Sequence, residues 1–162
     1  MTILTVDDLA PQFTLEKAGR GTVTLADYSG HYVVVYFYPK DDTSGCTRQA
    51  CEFTAALPEF EQLHVPVIGI SRDSVQAHEK FIEKHQLKIT LASDPDGAVC
   101  AAYNVWVEKN MYGRTYFGIE RSTFLINPDG KIAALWRKVK VPQHVQAVLT
   151  QLYALNKDMS PR

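Results

Sequence analysis

The run Tyr32-Val33-Val34-Val35-Tyr36-Phe37-Tyr38 constrains this chain more than any other stretch. Its β-branched and aromatic side chains follow one another without polar alternation, so a strand here must be covered on both faces. That demands a central place in a sheet. Apolar runs over residues 65–70 and 123–126 predict further strands, and residues 131–136 complete a hairpin through Asn127-Pro128-Asp129-Gly130. Residues 13–15 and 22–25 around Gly19-Arg20-Gly21 predict an N-terminal β-hairpin.

Helical patterns lie between these runs. Ala50, Phe53, Leu57 and Phe60 follow three- and four-residue spacing, and Pro58 is expected to break or kink that helix near Leu57. Further helices are predicted from the cap Ser74 toward His85, over about residues 97–103 and over about residues 142–155. Strands alternating with helices predict an α/β fold, and the closing hairpin predicts a mixed central sheet with an antiparallel edge. At 162 residues without repeats or linkers, the chain reads as one domain over residues 1–155 with a flexible tail over 156–162.

Lysine and arginine total 17 against 18 aspartates and glutamates, a balance that argues against nucleic acid as partner. No apolar run approaches the roughly 20 residues of a membrane span, and the first residues have no basic segment leading an apolar one. These features predict a cytoplasmic protein with no membrane partner. His31, His64, His78, His85 and His144 lack metal-ligand spacing, so solvated or capping roles are expected and no metal is predicted.

The three cysteines, Cys46, Cys51 and Cys100, are too few for a disulfide scaffold. Cys46 follows the central strand at the start of a helix, where unpaired N–H groups and the dipole favour a thiolate. Thr43, three residues earlier, can reach the sulfur or an oxygen held above it, and Pro39 ends the strand. Residues i and i+5 of a helix have Cα atoms roughly 8–9 Å apart, beyond the limit of about 7 Å for a disulfide. An intact helix therefore cannot hold a Cys46–Cys51 bond, and any such bond requires local unwinding. On residues alone, two buried small hydrophobes remain an alternative reading of the pair.

Pro39, Thr43 and Cys46, spaced as Pro-x-x-x-Thr-x-x-Cys, resemble the peroxiredoxin active-site pattern, and Cys51 resembles the second cysteine of the bacterioferritin comigratory protein (PrxQ) subfamily. Tyr36-Phe37-Tyr38-Pro39-Lys40, Gly69-Ile70-Ser71, Tyr112-Gly113-Arg114 and the run from Gly118 to Ile126 extend the resemblance over nearly the whole chain. It implies a thioredoxin-like fold and thiol-dependent reduction of hydrogen peroxide and organic hydroperoxides without cofactor or metal. By resemblance Cys46 is the peroxidatic cysteine and Cys51 the resolving one. Thr43 orients peroxide, Pro39 shields the pocket and Arg121 completes it. Thioredoxin or glutaredoxin is the implied reductant, and the implied state is a monomer. Ser44 stands where the subfamily usually has proline, which bears on the stiffness of the loop.

Cys100 sits among small apolar residues and is expected in the core, with a resolving role that Cys51 makes unnecessary. Arg137-Lys138-Val139-Lys140 is expected as a solvated face, and Trp106 and Trp136 as packing residues. Trp106, Met111, Tyr112 and Tyr116 fall in a segment expected to be irregular, where they could wall a hydroperoxide tail. Two rival readings are a thioredoxin-type disulfide oxidoreductase, whose Cys-x-x-Cys is absent, and a redox sensor that uses the same disulfide as a switch.

Overall fold

The computed structural model describes residues 3–155; the tail expected at 156–162 lies outside the described residues. In chain order the strands are β1 (Thr14–Lys17), β2 (Thr22–Thr24), β3 (Val33–Phe37), β4 (Val67–Ser71), β5 (Thr90–Ser93), β6 (Trp106–Met111), β7 (Arg114–Ile119), β8 (Ser122–Ile126) and β9 (Ile132–Trp136). The helices are α1 (Ser44–Gln62), α2 (Val75–His85), α3 (Ala98–Ala102) and α4 (His144–Leu155). Seven strands form one sheet in the order β2-β1-β5-β4-β3-β8-β9, and β6 pairs with β7 alone. β3 is parallel to β4 and antiparallel to β8, so the sheet is mixed and its β8–β9 edge antiparallel.

Every residue of β3 is buried, as its unbroken apolar run requires. Val34, Tyr36 and Tyr38 join one core with Phe53 and Phe60 of α1 and Val148 and Leu152 of α4. Val33, Val35 and Phe37 point to a second core with Phe13, Cys100 and Tyr103. The ring of Tyr36 stacks on Phe53 with centroids 4.7 Å apart, fixing α1 across the sheet. Ser74 caps α2 by accepting from the Ala77 amide at 3.1 Å, as its position predicts.

Several expectations are corrected. α1 continues through Pro58 to Gln62, so the proline does not break the helix near Leu57. An interior proline costs about 3 kcal/mol, but burying a phenylalanine contributes about 1.5–3 kcal/mol, and Phe53 and Phe60 are fully buried on either side of it. The supposedly irregular segment is the β6–β7 hairpin, turned by Tyr112 and Gly113 at φ 53° and 78°. β5 escaped sequence reading because its four residues, Thr90–Ser93, are too short a run to show a strand pattern, although the turn signal Asp94-Pro95-Asp96-Gly97 follows them directly. In the basic run Lys138 and Lys140 are exposed as expected, whereas Arg137 is half-buried: it donates to the carbonyls of Asn104 and Leu4 at 3.2 and 3.3 Å and lies over Phe124. His78 and His144 are buried rather than solvated.

Candidate active site

β3 delivers the chain at its carboxyl end into residues 38–43, and α1 begins directly afterwards with Thr43 as N-cap. Cys46 is the third residue of α1, in the turn whose first amides have no intrahelical acceptor. Its side chain is buried against the α1 core, whereas Cys51 on the same helix is half-buried; both are free thiols. Because α1 is continuous across both, the expected separation stands, and this folded form holds the two cysteines too far apart to bond.

Arg121 reaches the site from the opposite direction. The β3–β8 register sets Phe37 against Ser122, which brings the residue just before β8 beside the end of β3. Its segment is held by the Glu120 amide on the Val105 carbonyl at 2.7 Å and the Val139 amide on the Arg121 carbonyl at 3.0 Å. From there Nη2 donates to Cys46 Sγ at 3.3 Å and Nη1 donates to Gln49 Oε1 at 2.6 Å. The planar fork serves both partners at once from donors fixed in one rigid geometry, which the point charge of a lysine does not offer. Gly45 leaves room for it: a Cβ there would lie 3.2 Å from Arg121 Nη2.

Gln49 was not singled out from the sequence. Its signal was its spacing, three residues after Cys46, which places it on the same helix face. It is fully buried, and its Nε2, like the Tyr36 hydroxyl, finds no hydrogen-bond partner among the described residues. Burial and the neighbouring Cys46 and Asp41 raise the Tyr36 phenol well above its ordinary value, so it stays a neutral polar group behind the cysteine.

Thr43 makes no hydrogen bond to Cys46. Its hydroxyl donates to the Lys40 carbonyl at 2.9 Å, which leaves the oxygen lone pairs free to accept a proton from a ligand. Pro39 is exposed and lines, with Lys40, Arg72, Trp106, Lys109 and Phe117, a cavity of about 400 Å³ between this loop and the β6–β7 hairpin. Tyr116 also lines it, but Met111 and Tyr112 stand exposed at the hairpin end and form no part of the expected wall. Lys109 donates to the Ile119 carbonyl at 2.6 Å, and burial, with Arg121 nearby, lowers its ammonium below the usual lysine range.

Trp106 packs under Arg72, whose guanidinium carbon lies 4.6 Å from the ring centroid. Trp136 packs edge-on against His144. Cys100 is completely buried on α3, where burial first and Asp94 second push its thiol far up, so it is a core residue. Among the described residues no cluster of side chains has the makings of a metal site, and no helix is long and apolar enough to cross a membrane.

Residues 6–135 match the AhpC/TSA family. The chain is 49% identical to Peroxiredoxin Bcp of Xanthomonas campestris pv. campestris over 140 residues, covering 86% of this chain and 88% of that protein. It is 46% identical to Peroxiredoxin Bcp of Bacillus subtilis over 153 residues, covering 94% and 95%. A mutant of Xylella fastidiosa PrxQ superposes with a TM-score of 0.90 at 42% identity, covering 96% of this chain and 99% of that one. The Xanthomonas campestris bacterioferritin comigratory protein, whose structures address alkyl peroxide reduction, superposes with a TM-score of 0.83 at 45% identity, covering 91% and 92%.

Proposed function

Since the chain belongs to the AhpC/TSA family, among peroxiredoxins of the bacterioferritin comigratory protein kind, we propose that Cys46 is the peroxidatic and Cys51 the resolving cysteine of this thioredoxin-like thiol peroxidase. The observation that carries the assignment is the Arg121 guanidinium on Cys46 Sγ at 3.3 Å, at the first turn of α1. A fixed positive charge there meets negative charge on sulfur and on the oxygen that departs from it.

In the first step the Cys46 thiolate donates an electron pair to the terminal oxygen of ROOH. The O–O bond breaks, Cys46 becomes a sulfenic acid, and RO⁻ takes up one proton and leaves as ROH, or as water from hydrogen peroxide. Thr43, with its own proton engaged by Lys40, accepts the peroxide O–H and aims the oxygen at sulfur. Pro39 closes one side of the pocket. Next α1 unwinds locally, the Cys51 sulfur attacks Cys46, and the sulfenic hydroxyl leaves as water with the Cys51 proton. A dithiol protein, thioredoxin or glutaredoxin, then supplies two electrons and two protons to restore both thiols.

This reading describes a monomeric, cytoplasmic catalyst built on residues 1–155, acting on hydrogen peroxide and organic hydroperoxides. The 400 Å³ cavity beside Pro39 is suited to the organic chain. The test is peroxide-dependent NADPH oxidation coupled through thioredoxin and its reductase. Cys46→Ser should abolish it, and Cys51→Ser should leave a thiol that reacts once and does not recycle. A wild-type coupled rate in Cys46→Ser would overturn the assignment.

A further inference from the structure

Asp41 is held more firmly than any other residue of the loop before α1. Its Oδ1 accepts from the Tyr38 hydroxyl at 2.6 Å, its Oδ2 lies 2.6 Å from His78 Nδ1, and its amide donates to Asp73 Oδ2 at 2.9 Å. These partners come from the end of β3, from α2 and from the turn after β4, and the His78 side chain is completely buried. The other ring nitrogen, His78 Nε2, faces the Ala92 carbonyl at 2.9 Å, an acceptor only, so Nε2 carries a proton. One more proton must then lie between Nδ1 and Asp41 Oδ2, which makes the contact a closed hydrogen-bonded pair. Asp42, at φ 61°, is tied to α2 from outside by Lys84 at 2.7 Å and His85 at 2.8 Å.

One residue further on the character of the chain changes. Thr43 and Ser44 are exposed, and the Thr47 amide on the Thr43 carbonyl is the first bond that unwinding would break. The N-cap Thr43 stands eight residues before Cys51, about 12 Å along the helix, so a Cys46 Cα within about 6 Å of Cys51 lies only about 6–7 Å from Thr43, inside the roughly 10 Å that three extended residues span. Unwinding therefore has no need to recruit residues upstream of Thr43.

On the reading that Cys46 and Cys51 form the disulfide, we propose that the Asp41–His78 clasp is the hinge of the catalytic loop: α1 opens from Thr43 onward while Asp41 stays fixed. Pro39 and Lys40 then keep their places through the cycle, and the pocket re-forms around Cys46 when the helix rewinds. Asp41 and His78 act as positioning residues, since neither touches sulfur.

Residue-resolved amide exchange on the full chain, reduced and oxidised, tests the hinge, with the disulfide mapped by peptide mass. Oxidation should cost the Thr47 amide about 100-fold in protection, while the Tyr38 and Asp41 amides change by no more than about threefold. His78→Ala should free the Asp41 amide by about tenfold or more and slow single-turnover oxidation of Cys46 by about fivefold. Asp41→Asn, which can still accept from Tyr38 and donate to His78 Nδ1, should keep both near the wild-type values, whereas Asp41→Ala should reproduce the His78→Ala losses. If the Asp41 amide of the oxidised wild type opens together with Thr47 while the 46–51 linkage is present, the hinge is overturned. If no 46–51 linkage is found, the pairing fails and the hinge with it, and the mass map identifies that failure separately.

Discussion

If Cys46 attacks peroxide as proposed, Gly45→Ala should slow that attack through one contact, with Arg121, and slow the unwinding of α1 through helix propensity. Gly45 is the second residue of α1, and a methyl group there lies 3.2 Å from Arg121 Nη2 and 3.9 Å from Arg121 Cζ. Relief requires the guanidinium to retreat by a few tenths of an ångström, which disturbs its 3.3 Å bond to Cys46 Sγ. A hydrogen bond to a charged group is worth about 1.5–3 kcal/mol, so forfeiting part of it costs about 1 kcal/mol, a roughly fivefold slower attack. Meanwhile alanine favours helix over glycine by about 0.5–1 kcal/mol, which should slow unwinding, and with it disulfide formation, about two- to fivefold. Rapid-quench single turnovers, with Cys46 sulfenic acid and the 46–51 disulfide counted separately by mass, resolve the two steps. Slower resolution should also leave the sulfenic acid exposed longer to a second peroxide, so the variant should overoxidise at lower peroxide. Attack at the wild-type rate would refute the role given to the Arg121 contact. Disulfide formation as fast as wild type would refute the coupling to unwinding.

Arg121→Met should slow attack by about 10- to 100-fold, matching the loss of about 1.5–3 kcal/mol, and Arg121→Lys should recover only part of it because one ammonium cannot replace the fork between Sγ and Gln49; single-turnover rates decide. His144, bonded to Thr123 at 2.8 Å, has its pKa lowered to about 4 by burial and then by Arg121. The unfolded chain binds this proton near pH 6.5 and the folded chain only near 4, so the group's stabilisation is complete above about 6.5 and lost as pH falls toward 4. The span sets a ceiling of about 3 kcal/mol, and relaxation around the protonated ring reduces the expected loss to about 2 kcal/mol. Denaturant titrations of wild type and His144→Gln should show that slope only in wild type. Gly69→Ala puts a methyl group 2.8 Å from both Leu91 Cδ2 and Tyr36 Cζ, and overpacking of this kind should cost about 1–3 kcal/mol and lower Tm by about 3–10 °C.

The sequence by itself was enough for the layers of this fold and for the placement of Cys46 and Cys51 on one helix. An unbroken apolar strand has one stable environment, and β3 occupies it with both faces covered. Ser74 capped the helix it was expected to cap, and the five-residue gap between Cys46 and Cys51 already stated that folded helix and disulfide exclude each other. These are properties of local geometry, which the spacing of residues carries. Pairing across the chain is different. That Arg121 forks between Cys46 and Gln49 depends on the β3–β8 register, and that His78 meets Asp41 depends on how α2 packs over the sheet. Pro58 belongs with these: its local cost is real, and the core in which α1 buries Phe53 and Phe60 outweighs it. Sequence spacing reports what neighbours along one element can do, whereas a buried polar group is satisfied by whichever element folding brings beside it, and only the tertiary structure decides which that is.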